Sequence, residues 1–133
     1  MDRKTKILIV EDEAALADLM VLALNRAGHE AETVNSGKRA MKLATQNRFD
    51  LITLDIKLPD TSGFEVCREL KQRHISYKTP IIFISGSHAP EDIAESKKCG
   101  AVDYIVKPFD ITEFIHKVVY YARARKQAEG APK

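Results

Sequence analysis

Five short runs rich in apolar and β-branched residues, each followed by a stretch of helical spacing, constrain this 133-residue chain more than any other feature. Ile7-Leu8-Ile9-Val10, Glu30 to Val34, Phe49 to Leu54, Ile81-Ile82-Phe83-Ile84 and Val102 to Val106 read as strands. Strands that alternate strictly with helices return by crossovers, which makes the sheet parallel and puts helices on both of its faces. Most of the runs are close to continuously apolar, as strands covered on both sides should be, and only Glu30 to Val34 alternates, weakly. The expected fold is a doubly wound α/β domain with five parallel strands and five helices.

The helices carry their own punctuation. Leu16, Leu19, Met20, Ala23, Leu24 and Ala27 recur at helical spacing until Gly28 stops them. Ser36-Gly37 opens a second helix with Ala40, Met41, Leu43 and Ala44 on its apolar side. Ser62 and Glu65 have capping-box spacing and start a third, through about Arg73. Pro90 and Glu91 suit the first turn of a short fourth, ended by Gly100. Asp110 and Glu113 repeat the capping-box spacing ahead of Ile111, Phe114, Ile115, Val118, Val119 and Ala122. The basic end of this last helix, Arg123 to Lys126, suits the helix dipole, and Tyr120-Tyr121 is expected to pack half-buried. One domain is expected over residues 1–127, with a frayed tail over 128–133.

Charge and cysteine usage exclude several classes. Lys plus Arg is 21 and Asp plus Glu 19, a net charge of +2 that offers nucleic acid or a membrane surface no bulk attraction. The apolar runs are too short to span a membrane, and no signal peptide is visible. Cys67 and Cys99 each sit inside a helical pattern without a Cys-x-x-Cys pair, so the expected setting is a reducing cytoplasm. His29, His74, His88 and His116 are scattered with no metal-like spacing and read as surface residues.

In a parallel sheet all strand C-termini share one edge, the edge at which open α/β sheets bind ligands. Here that edge collects Glu11 and Asp12 after the first strand, Asp55 after the third, Ser85 after the fourth and Lys107 after the fifth. Any one of these could be a polar strand terminator. Together they form a chemically complementary set. Crowded carboxylates favour a hard divalent cation with oxygen ligands, most plausibly Mg2+. Lys107 and the Ser85 hydroxyl could hold a phosphoryl group that carboxylates alone would repel, and Asp55 could be the nucleophile that accepts it.

Ile9-Val10-Glu11-Asp12-Glu13, Leu54-Asp55 with Leu58-Pro59-Asp60 and Gly63, Ile84-Ser85-Gly86, and Tyr104-Ile105-Val106-Lys107-Pro108-Phe109 occur in this order along the chain. In these pieces, and over nearly its whole length, the chain resembles the receiver domain of two-component response regulators. The resemblance implies a flavodoxin-like fold with strand order 2-1-3-4-5. It implies Asp55 as phosphoacceptor from a sensor kinase phosphohistidine, and Glu11 and Asp12 as the acidic pair for Mg2+, with the backbone carbonyl of Lys57 as a further ligand. Ser85 and Lys107 would contact the phosphate, and Tyr104 would turn inward as Ser85 moves, changing the face made by helix four, strand five and helix five. A cis Lys107-Pro108 bond is implied as well.

The implied partners are a sensor histidine kinase or phosphotransfer protein, then a downstream protein target or an effector domain outside these residues, with homodimerisation on phosphorylation. Neither nucleic acid nor membrane is an expected partner of this chain. Competing classes fit less well. Glu11-Asp12-Glu13 stands where a dinucleotide-binding domain needs its glycines, and Lys57 stands where a haloacid-dehalogenase-type phosphatase usually has a second Asp. The expectation is a signalling phosphoacceptor, not a turnover enzyme, that assists its own phosphorylation and dephosphorylation. Its alternative is a receiver-like interaction module that works without phosphorylation.

Overall fold

The structure, a computed structural model, describes residues 4–130, with the side chains of 129 and 130 outside the description. Its elements are β1 (Lys6–Val10), α1 (Ala14–Arg26), β2 (Glu30–Val34), α2 (Gly37–Gln46), β3 (Leu51–Leu54), α3 (Gly63–Lys71), β4 (Ile81–Ser85), α4 (Pro90–Lys98), β5 (Asp103–Val106) and α5 (Ile111–Gly130). The strands form one sheet in the order β2-β1-β3-β4-β5, every pair parallel. This is the flavodoxin-like arrangement, with the order reversing between β1 and β3.

Side-chain alternation along the inner strands divides the core in two. Leu8, Val10, Ile52, Leu54, Ile81 and Phe83 pack beneath Ala40 and Ala44 of α2 and Val66, Cys67 and Leu70 of α3. Ile7, Ile9, Leu51, Ile82, Ile84 and Ile105 pack beneath Met20 and Leu24 of α1 and Phe114, Val118 and Ala122 of α5. β3 and β4 are buried at every position, whereas the edge strand β2 has none buried, which explains its weak apolar signal. At roughly 25 cal/mol per Å2 of apolar surface removed from water, these two layers dominate the stability of the domain.

The ends of the helices follow their sequence signals with small shifts. α1 and α4 both close in a Schellman arrangement. His29 N donates to Leu24 O and Gly28 N to Asn25 O, while Ala101 N donates to Ser96 O and Gly100 N to Lys97 O. Gly28 and Gly100 adopt φ of 91° and 100°, which a side chain would oppose. Ser36 caps α2 by accepting from Arg39 N at 3.2 Å. The two expected capping boxes are half-formed. Ser62 Oγ accepts from Phe64 N and Asp110 Oδ1 from Thr112 N, but Glu65 turns to pair with Arg68. α3 ends at Lys71, short of Arg73, because Gln72 N and Arg73 N bond three residues back and tighten its last turn.

Other expectations need correction. β3 begins at Leu51, and Phe49 joins the core from outside the strand. β5 begins at Asp103, leaving Val102 43% exposed. α5 is helical through Gly130, and residues 131–133 of the expected tail lie outside the described residues. Tyr120 is exposed rather than half-buried, while Tyr121 is partly buried and donates to Asp103 Oδ2 at 3.0 Å. His29 is half-buried, unlike His74, His88 and His116; burial and then Arg123 and Lys126 hold its pKa below the usual value. Among the described residues no helix is long and apolar enough to cross a membrane.

Candidate functional site

Parallel strands deliver their C-terminal residues to one rim, so four separate stretches meet there. Glu11 follows β1, its N–H bonded to Val34 O of β2, and its carboxylate is folded back to accept from Glu13 N at 3.2 Å. Asp55 follows β3, with Oδ1 accepting from Lys57 N at 3.2 Å. Ser85 ends β4, buried, and its carbonyl accepts from Lys107 N across the β5 ladder. Lys107 reaches back over the rim, its Nζ 2.8 Å from Asp55 Oδ2 and 2.9 Å from Glu11 Oε1. The Lys107-Pro108 peptide is cis.

Charge is concentrated here. Burial pushes the Glu11 carboxyl above the usual carboxylate range, against the lowering pull of its hydrogen bond from Lys107. Burial draws the Lys107 ammonium down, but its bonds to Asp55 and Glu11 outweigh that and hold its pKa above the usual lysine value. Glu11, Asp12 and Asp55 each place a carboxylate oxygen within 4.8 Å of the others. Two of the three are buried and Asp12 is exposed at the mouth. One lysine does not neutralise three carboxylates. A hard divalent cation with oxygen ligands would, so the donor set fits Mg2+.

The loop after Asp55 explains its rigidity. Gly63 N donates to Ile56 O at 2.7 Å, and a Cβ on Gly63 would stand 2.0 Å from the Asp55 carbonyl oxygen. Asp60, one of the residues that carry the family resemblance, accepts from Gly37 N at 2.8 Å and Lys38 N at 2.9 Å, tying the loop to the start of α2. These backbone bonds hold its carboxyl below the usual range. Lys57 is exposed and forms an isolated bridge with Ser62.

On the β4 side a hydrogen-bonded chain runs away from Ser85. Ser85 Oγ accepts from Ser87 N at 3.2 Å, and Ser87 O accepts from the Tyr104 hydroxyl at 2.9 Å. The Ser87 hydroxyl in turn donates to Asp92 Oδ2 at 2.5 Å in the first turn of α4. Tyr104 is half-buried against the α2–α3 layer, already turned toward the β4–α4 loop. Asp92 has no signal in the sequence pattern. Its meeting with Ser87 depends on the path of that loop.

A five-stranded 2-1-3-4-5 sheet with an acidic pocket and a lysine at its carboxyl rim defines the receiver class. The family model of the response regulator receiver domain matches residues 7–119, and the chain belongs to that family.

Among its relatives, the response regulator ArlR of Staphylococcus saprophyticus is 40% identical over 123 residues, covering 92% of this chain and 54% of that protein. ArlR of Staphylococcus aureus is 38% identical over 125 residues, covering 94% of this chain and 56% of the relative. The chain thus spans about half the length of these curated relatives. Among solved structures, a CheY-like receiver domain protein of Methanospirillum hungatei superposes with a TM-score of 0.89 at 25% identity, covering 95% of this chain and 99% of that one. The receiver domain of a Pseudomonas aeruginosa sensor histidine kinase, with a magnesium ion coordinated in its active-site cleft, gives a TM-score of 0.83 at 26% identity. It covers 91% of this chain and 99% of that one. The chain is thus a response regulator receiver domain, a signalling module.

Proposed function

We propose that Asp55 is the phosphoacceptor of a two-component signalling protein, within a receiver domain occupying residues 1–127. The observation that carries this is the single ammonium of Lys107 shared between Asp55 and Glu11 at 2.8 and 2.9 Å. A nucleophilic carboxylate needs a cation that orients it before reaction and then follows the charge onto a phosphoryl oxygen, and a shared lysine can do both.

An Asp55 carboxylate oxygen forms the new P–O bond while the bond from phosphorus to the donor's imidazole nitrogen breaks, the electron pair leaving with that nitrogen. Lys57 N–H and Lys107 orient the carboxylate. Ser85 Oγ accepts its bond from Ser87 N, which leaves the Ser85 proton free to donate to a phosphoryl oxygen. Glu11, Asp12, Asp55 and the backbone carbonyl of Lys57 would hold Mg2+. When bound, the ion supplies positive charge to the transferring phosphoryl oxygens. The same groups serve loss of the phosphoryl group to water, so the domain assists both directions without being a turnover enzyme.

The switch runs along the hydrogen-bonded chain. A phosphoryl group adds up to about two negative charges at this rim. Ser85 moving toward it strains the bond from Ser87 N, and the Tyr104 hydroxyl registers the shift because it is bound to the Ser87 carbonyl. Tyr104 already lies inward, so the change is a tightening of an existing contact that biases the α4–β5–α5 face.

The phosphoryl donor is a sensor histidine kinase or phosphotransfer protein. Exposed Leu19 of α1, with Leu16, Phe109 and Ile111 beside Lys107, offers it an apolar landing surface at the site mouth. The output goes to a protein target or an effector domain in the cytoplasm, and the phosphorylated face is available to a second copy. No specific observation favours an interaction module that works without phosphorylation.

Incubation with Mg2+ and acetyl phosphate, followed by intact mass, tests the reading. One phosphoryl group is expected on the native chain and none on Asp55→Asn. Equal labelling of the two would overturn the assignment.

A further inference from the structure

Two cysteines that the phosphoryl chemistry does not use meet where α3 packs beside the end of α4. Cys67 points inward from α3, with its Sγ 3.2 Å from the carbonyl oxygen of Cys99. Cys99 is the C-cap of α4, and its own Sγ lies 3.3 Å from Ser96 O. Both are free thiols, Cys67 wholly buried and Cys99 7% exposed. The Arg68–Glu95 ion pair, at 2.6 Å, already spans the same two helices beside them.

The pair is chemically asymmetric. The neighbouring Cys99 side chain, together with burial, pushes the Cys67 thiol up. The neighbouring Cys67 side chain, aided by the Arg68 guanidinium and opposed by burial, holds the Cys99 thiol below its usual value. A buried structural cysteine is normally inert, because burial disfavours its thiolate. Here Cys99, at 7% exposure, is the sulfur nearer solvent and so the one an oxidant meets first, with Cys67 behind it. With Cys67 Sγ already against the Cys99 carbonyl, a bond between the two sulfurs needs the Cys99 side chain to leave Ser96 O and turn toward Cys67.

We propose that Cys67 and Cys99 form a reversible disulfide when the protein meets a hydroperoxide, fastening the C-terminal end of α4 to α3. With hydrogen peroxide as oxidant, the Cys99 thiolate attacks one oxygen; an S–O bond forms, the O–O bond breaks, and the departing hydroxide takes a proton as water. The Cys67 sulfur then attacks the Cys99 sulfenic acid. The S–S bond forms, the S–O bond breaks, and the Cys67 proton leaves with the second water. Two thiols are oxidised and one peroxide is reduced to two waters. Thioredoxin-type dithiols reverse the step. Disulfides in reducing compartments are characteristically of this transient kind.

The experiment treats the full chain with hydrogen peroxide, alkylates remaining thiols and measures intact mass and tryptic peptides. The expected product has lost two hydrogen atoms, resists alkylation at both cysteines, joins the Cys67 and Cys99 peptides within one chain, and reverts with dithiothreitol. Cys67→Ser should instead leave a dimedone-reactive sulfenic acid on Cys99, and Cys99→Ser should react far more slowly. Asp55→Asn should cross-link like the native chain, so this result stands or falls independently of the phosphoryl reading. Cross-links only between chains, stable oxygen adducts without a cross-link in the native chain, or thiols that stay fully alkylatable would each overturn the proposal.

Discussion

Asp50 and Asp55 flank the same strand, Leu51–Leu54, and both are buried, at 1% and 7% exposure. Each accepts a 2.8 Å hydrogen bond from nitrogen, Asp50 Oδ2 from Lys6 N and Asp55 Oδ2 from Lys107 Nζ. The difference lies in the donor. Lys6 N belongs to β1, so Asp50 fastens two strands and its partner cannot move without the sheet. Lys107 Nζ ends a flexible side chain and is shared with Glu11, so Asp55's partner can follow new charge. The rest of the amino end of the sheet is similarly closed. Ser76 Oγ donates to Leu70 O, and Lys71 Nζ donates to Thr79 O. At the carboxyl end charged side chains face one another, Lys107 with Asp55 and Glu11. One end holds the fold; the other carries the site of the proposed phosphoryl chemistry.

The sharpest way to break this comparison is to exchange effects between the two aspartates. Asp55→Asn should abolish phosphoryl uptake while the chain stays folded, read by intact mass and circular dichroism. Gly63→Ala comes next, since its methyl would stand 2.0 Å from the Asp55 carbonyl oxygen. A loss of about 3 kcal/mol in denaturant stability is expected, because the obstacle is backbone and cannot swing away.

Lys107→Met removes the charge shared by two buried carboxylates and should cost about 2 kcal/mol at neutral pH, less than for a fully sealed pair because water reaches the rim. Its pH dependence follows from the raised folded-state pKa of Lys107. The contribution is fully present below the ordinary lysine value of 10.5 and is lost as pH rises through the higher folded value. Native and variant stabilities should therefore converge in strongly alkaline buffer; a constant gap would place the effect in packing.

Asp50→Ala should cost about 1–2 kcal/mol for the bond to Lys6 N and leave phosphoryl uptake intact. Lost uptake in a folded Asp50→Ala chain would erase the distinction between the two ends. The smallest effect is expected at Asp60, whose carboxyl is held low chiefly by the backbone N–H of Gly37. Its contribution is present above 3.8 and lost as pH falls through the lower folded value, so Asp60→Ala and native stabilities should meet only in strong acid.

Much of this was legible from residues alone. Ile7 to Val10, Phe49 to Leu54 and Ile81 to Ile84 announce inner strands because both faces are covered, and Gly28 and Gly100 announce helix ends because the last turn needs a positive φ. The carboxyl rim with Glu11, Asp12, Asp55, Ser85 and Lys107 followed from parallel topology. Residues whose partners come from distant segments were not legible in the same way. Asp50 reads as part of a strand until Lys6 N of β1 meets it. Asp60 reads as a turn residue until α2 arrives beside it, and Asp92 as a helix-start acid until Ser87 meets it. The two cysteines, 32 positions apart, meet only because α3 and α4 pack on the same face.

What the sequence by itself determined is the alternation of strand and helix, and with it the edge to which the reactive side chains are delivered. These depend on local spacing and on the handedness of crossovers, which act within a few tens of residues. Only the tertiary structure decided which carboxylates share Lys107, that Tyr104 already lies against Ser87, and that Cys67 meets the Cys99 backbone. Those depend on distances between side chains carried by different strands and helices, and local periodicity contains no information about such distances.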